Sequence, residues 1–200
     1  NSLQIGFMFA PAHHKATRHV FVPRREIGIR TIFNFLGPLT NPANASRQLI
    51  GVYDSAWVEK IAQVLKELGC EKALVVCSSN GMDEIAIDCP TNVAELSGGT
   101  IKTFEVSPEL FGIRRQSHDR LVANSPEASL KIIKDVFKGI RGPAFDIVSL
   151  NAGAAIYLGG QAKTIEDGVG RASELLETQI VLTLFENFCQ FTQNLENVED

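Results

Sequence analysis

Several features that would assign this chain at a glance are missing. Its four cysteines, Cys70, Cys77, Cys89 and Cys189, include no C-x-x-C pair and no grouping with histidine, which argues against a zinc site and against a disulfide scaffold. Buried, reduced thiols are expected instead. Acidic residues outnumber basic ones, 23 against 19, for a net charge of −4. Apart from a local group at Arg18, Arg24, Arg25 and Arg30 the cations are scattered, so there is no footprint for a phosphate backbone, and no nucleic-acid partner is expected. No apolar run approaches the roughly 18 residues that a membrane span needs. There is no H-x-x-x-H pair to hold a metal, no internal repeat and no low-complexity linker. The chain opens on "NSLQIGFMFAP", without an initiator methionine or the charged start of a signal peptide, and that opening reads as the middle of a longer protein.

What is present describes an α/β protein. With 200 residues, 44% of them hydrophobic, the chain can bury a real core as one domain or as a large piece of a bigger protein. "SAWVEKIAQVLKELG" has the period of a surface helix, with Ser55 as its N-cap and Gly69 as its stop. "KALVVC" is a continuous apolar run of strand length, the pattern of a strand covered on both faces. "EIAID", "NVAELSGGTIKTFEVS" and "FDIVSL" are further strand candidates, with Gly98-Gly99 as a hairpin turn. "SPEASLKIIKDVFKG" predicts a helix capped by Ser125 and closed at Gly139. Thr164 to about Phe191 is helical by period, and the final "NLENVED" is an acidic, frayed tail. Helices alternating with apolar strands imply a central, mostly parallel sheet flanked by helices.

Two stretches carry chemistry. "CSSNGMDEIAID" follows the "ALVV" strand directly and sets Asp83 beside Glu84 after a glycine. Oxygen ligands on a turn at a strand end suit a magnesium and polyphosphate site. On the motif alone, a turn cap followed by a solvated strand entry is the commoner reading, since Asp-Glu pairs after glycine are frequent. The second stretch, "FAPAHHKATRHVFVPRREIGIRT", concentrates His13, His14 and His19 with the four arginines. An arginine fork can clamp a small carboxylate, or the same arginines can pair on the surface with Glu26, Asp54 or Glu59. Just beyond, "IFNFLGPLTNPAN" runs an apolar segment straight into Gly37-Pro38, with Pro42 following.

In order, "GFMFAPAHHKATRHVFVPRREIGIRTIFNFLGPLTNPA", "LIGVY", "NGMDEI" and "NAGAAIYLGG" closely resemble the carboxyl-terminal two-thirds of the anthranilate phosphoribosyltransferase family. The resemblance implies the large α/β domain of the nucleoside phosphorylase and phosphoribosyltransferase type over residues 1–195, with an acidic tail at 196–200. It implies a cytoplasmic, Mg2+-using enzyme of tryptophan biosynthesis. Such an enzyme joins anthranilate to 5-phosphoribosyl 1-pyrophosphate and releases pyrophosphate, and it is a homodimer when full length. By the same resemblance Arg24 holds the anthranilate carboxylate, His14 lines that pocket, the Gly37-Pro38 turn forms an apolar wall of it, and Asp83 and Glu84 bind magnesium. No general base is implied. Departures are visible: Lys15 stands where proline is usual, "CSSNGMDE" replaces "H-G-x-D-G-L-D-E", and "LVANSPEAS" replaces "G-G-x-A-x-E-N". The family's "G-T-G-G-D" and "K-H-G-N" motifs occur nowhere in these 200 residues. The chain alone is therefore expected to be inactive, and to be monomeric or to associate non-natively. A nucleic-acid-binding relative and a pyrimidine-nucleoside phosphorylase are the competing readings, disfavoured by the acidic balance and by the "F-N-x-L-G-P-L-T-N-P" stretch respectively.

Overall fold

The strand Lys72–Ser78 (β2) is buried from its second residue to its last, as a continuous apolar run requires when both faces of a sheet are covered. It lies in a four-stranded sheet with the order β1-β2-β3-β4. Here β1 is Arg47–Gly51, β3 is Thr91–Ser97 and β4 is Thr100–Val106. The computed structural model describes residues 3, 5–6, 37–41 and 43–196. The chain divides into two compact units, Asn1–Ser46 and Arg47–Asp200, and the sheet belongs to the second.

The α/β class read from the sequence holds, but the sheet is mixed. Among the described strands, β1 and β2 pair in parallel, whereas β2 with β3 and β3 with β4 pair antiparallel. The reason lies in the connections. Helix α1, Val58–Glu67, carries the chain back between β1 and β2, as a parallel pair demands. No helix intervenes between β2 and β3. Gly98 and Gly99, both at positive φ (55° and 76°), close the predicted β3–β4 hairpin, the backbone a two-residue turn needs to match strand twist.

Helix α1 buries Val58, Ile61, Ala62 and Leu65, one apolar stripe at helical spacing. Ser55 does not cap it: the helix starts after Trp57, which makes no side-chain cap bond. Asp54 accepts a hydrogen bond from the Ala56 amide (2.9 Å) and opens a 3-10 turn, Ser55–Trp57, ahead of the helix. Gly69 follows at φ 79°, as the left-handed stop requires. Helix α2, Pro126–Phe137, starts as its sequence predicts: the Ser125 hydroxyl accepts from the Ala128 amide (3.1 Å) and Pro126 occupies the first turn.

"FDIVSL" is a correction. It lies in helix α3, Pro143–Leu158, which buries Phe145, Ile147, Ser149, Leu150, Gly153, Ala154 and Leu158. A helix packed on several sides loses its polar stripe, and six of its residues then look like a buried strand. Helix α4, Ile165–Glu177, packs against α3 through glycines. A Cβ on Gly153 would sit 2.5 Å from the Val169 Cα, and one on Gly168 would sit 2.2 Å from the Gly153 carbonyl oxygen. The expected single helix from Thr164 is two: Gln179 at φ 59° separates α4 from α5, Ile180–Glu196. All four cysteines are free; only Cys77 is buried, the others being half-buried. No described helix is long and apolar enough to cross a membrane.

Candidate functional site

Beyond Ser78 the chain makes a compact excursion before re-entering the sheet at Thr91. Gly81, at φ 83°, lets the turn close, its amide donating to the Ser78 carbonyl at 2.9 Å. The Ser78 amide donates to the Met82 carbonyl (3.0 Å) and the Ser79 amide to the Pro90 carbonyl (2.8 Å). The Asn80 carboxamide oxygen accepts from the Met82 amide at 3.1 Å. Asp83 and Glu84 follow immediately, both exposed. Two supports from elsewhere fix the backbone at the pair. The end of β1 passes so close that a Cβ on Gly51 would lie 1.7 Å from the Asp83 carbonyl oxygen. From α3, the Asn151 carboxamide oxygen accepts from the Ile85 amide (2.9 Å) while its nitrogen donates to the Ile85 carbonyl (3.0 Å).

"EIAID", expected as a strand, is not one. Ile85, Ala86 and Ile87 are buried, but the backbone of the first two is met by side chains: Asn151 at Ile85, and the Thr91 hydroxyl accepting from the Ala86 amide at 3.1 Å. Buried amides must find partners, and here the partners come from α3 and β3 rather than from a neighbouring strand.

Glu84 titrates above its ordinary value. Crowding by the adjacent groove desolvates its carboxylate, and the charge of Asp83 adds to the effect. That groove, 510 Å3, is lined by Met82, Leu121, Ile133, Val136 and Ile147 among others. The side chain keeps solvent contact. Among the described residues no group of three or more His, Cys, Asp or Glu could close a metal site. Remaining ligands would be water or substrate oxygens, the habit of Mg2+ rather than of zinc.

Asp83 and Glu84 are thus held together on one braced loop. Gly37 and Pro38 belong to the other unit, in a short helical turn where the Thr40 amide donates to the Gly37 carbonyl at 3.3 Å. A Cβ on Gly37 would meet nothing within 4 Å among the described residues, so no contact there forces a glycine. His14 and Arg24 lie outside the described residues. Sequence reasoning missed Gly51 and Asn151; the signal for Asn151 was a polar residue ending an otherwise apolar run.

Residues 1–179 match the family described as glycosyl transferase family, a/b domain. The chain belongs to that family. It is 46% identical over 191 residues to the anthranilate phosphoribosyltransferase of Alkalilimnicola ehrlichii, a match covering 96% of this chain and 56% of that one. The crystal structure of anthranilate phosphoribosyltransferase from Thermus thermophilus superposes with a TM-score of 0.88 at 36% identity, covering 96% of this chain and 57% of that one. The Saccharomyces cerevisiae enzyme, solved in complex with PRPP and Mg, gives a TM-score of 0.78 at 26% identity over 88% of this chain and 51% of that one. This glycosyl transferase family chain therefore spans little more than half the length of the curated relatives it matches.

Proposed function

We propose that the protein containing this chain transfers the phosphoribosyl group of 5-phosphoribosyl 1-pyrophosphate to the amino group of anthranilate, giving N-(5-phosphoribosyl)anthranilate and pyrophosphate in tryptophan biosynthesis. Residues 1–195 are its α/β domain in this reading, and the whole protein is a cytoplasmic homodimer. The observation that carries the proposal is the braced acidic pair, Asp83 and Glu84, in a chain 46% identical to an anthranilate phosphoribosyltransferase.

Asp83 and Glu84 fit a magnesium ion, because they offer oxygen donors alone and too few to strip the ion of water and phosphate ligands. When bound, the ion would supply charge neutralisation of the departing pyrophosphate. Leaving-group departure builds positive charge at the ribose carbon, so positioning and charge stabilisation govern the barrier, and an aromatic amine attacking that carbon scarcely needs a base. Arg24 is proposed as the fork that holds the anthranilate carboxylate, with His14 and the Gly37-Pro38 turn lining the ring pocket. A turn of fixed φ loses little entropy when the ring docks.

The test is loss of anthranilate fluorescence with the whole protein, PRPP and Mg2+. Consumption that requires both PRPP and Mg2+, and stops on chelation, supports the proposal. No consumption by well-folded protein, or consumption indifferent to chelation, overturns it.

A further inference from the structure

A second polar network lies at the base of the acidic loop and joins it to a distant part of the chain. Asp88 ends the excursion, and its carboxylate accepts from the Asn80 carboxamide nitrogen through both oxygens, at 3.1 Å each. Asp88 Oδ2 also meets His118 Nδ1 at 2.5 Å. His118 opens a 3-10 turn, His118–Leu121, in the connection between β4 and α2. That connection is itself tied to the excursion by the Gln116 amide, which donates to the Ile87 carbonyl at 3.1 Å. Asn80 completes the chain of contacts. Its oxygen accepts from the Met82 amide (3.1 Å) and lies 2.6 Å from the Ser78 hydroxyl. Met82 is the residue before the acidic pair.

We infer that His118 is a positioning residue for the Asp83–Glu84 loop, acting through Asp88 and Asn80. Each member constrains the next by chemistry. Asp88 is acceptor-only, and His118 and Asn80 are two of the donors it takes, beside Cys89. Engaging the Asn80 amide nitrogen with that carboxylate fixes which way the carboxamide faces, and so aims its oxygen at the Met82 amide. Removing His118 leaves Asp88 free to turn toward water, and the orientation of Asn80 loses its outer anchor.

The contact is also sensitive to charge. The hydrogen bond and charge of Asp88 hold His118 above its usual titration range, and Asp119 on the same turn acts in the same sense. Burial alone would push Asp88 up, but the hydrogen bonds from His118 and from Cys89, with the His118 charge, hold it below its usual range. Asp88, Asp119 and, through Asp88, Cys89 are the titratable groups facing this contact. With the folded-state value of His118 raised, the charged clasp is complete below about pH 6.5, the unperturbed histidine value. It weakens as pH rises through the raised value.

The test is amide hydrogen exchange of Met82 to Ile85, as protection factors from pH 5.5 to 8.5, in the parent chain and in the variants His118→Ala, His118→Gln and Asp88→Asn. The parent is expected to lose protection at Met82 as pH rises, and His118→Ala to be flat and lower by about threefold or more at the acid end. His118→Gln, which keeps an uncharged donor, is expected to restore part of the protection without the pH dependence. Equal protection in His118→Ala and the parent, with an unchanged melting temperature, overturns the inference. The functional consequence alone rests on the magnesium reading of the acidic pair. In the whole protein His118→Ala is expected to move half-activation to higher Mg2+. Lost protection with an unmoved Mg2+ dependence would uphold the positioning role and strike the magnesium reading instead.

Discussion

Gly51 and Asp83 meet backbone to backbone: a Cβ on Gly51 would stand 1.7 Å from the Asp83 carbonyl oxygen and 2.5 Å from its carbonyl carbon. The end of β1 therefore sets the height of the acidic loop above the sheet, and no side chain fits between them. Gly51→Ala must push the loop away or distort β1. A loss of about 1–3 kcal/mol in unfolding free energy is expected, read by denaturant titration, together with a higher Mg2+ requirement in the whole protein. An alanine variant of parental stability and parental Mg2+ dependence would show that the loop yields freely.

Asn151 is the second brace. It spends its carboxamide on the Ile85 amide and carbonyl and on the Ile147 carbonyl at 3.0 Å. Asn151→Ala strands the amide of buried Ile85 without a partner, and about 1–3 kcal/mol of stability is expected to go with it. Asn151→Asp keeps the acceptor but turns an oxygen toward the Ile85 and Ile147 carbonyls. Its loss is therefore expected to be at least as large at neutral pH and to shrink in acid, where the protonated carboxyl can donate. Thermal melts of the two variants beside the parent decide the order.

For the acidic pair, the double variant Asp83→Asn, Glu84→Gln is expected to lower turnover in the whole protein and to shift its activation by magnesium to higher concentration. Superimposed Mg2+ titration curves for variant and parent would make the pair a solvated turn. Stability gives a separate check. The folded-state value of Glu84 is raised, so its contribution is present below the unfolded value and is lost as pH rises through the folded one. Neutral Glu84→Gln is therefore expected to match the parent in acid and to melt no lower, or slightly higher, at neutral pH.

Arg24→Ala, in the whole protein, is expected chiefly to raise the Michaelis constant for anthranilate and to leave that for PRPP nearly unchanged. The loss expected for a charged hydrogen-bonding pair is about 2–3 kcal/mol. Lysine is expected to rescue poorly, lacking the planar fork. Equal losses for both substrates in steady-state kinetics would mark Arg24 as structural.

Sequence alone determined the local features whose cause is local. The Ser125-Pro126 helix start, the Gly98-Gly99 turn and the double-sided burial of Lys72–Ser78 each follow from a few adjacent residues, and so does the placing of Asp83-Glu84 just beyond a buried strand. Tertiary structure decided what depends on a partner far along the chain. "FDIVSL" is helix because α4 and its neighbours cover it, and no periodicity within six residues records that. Ile85–Ile87 are buried without being a strand because Asn151, 66 residues away, and Thr91 answer the amides of Ile85 and Ala86. The break at Gln179 carries no glycine or proline to announce it. Gly51 is needed because Asp83 arrives from 32 positions later. A sequence states which residues bury apolar surface and which punctuate the backbone; which distant group satisfies a given amide or fills a given gap is fixed only when the chain closes on itself.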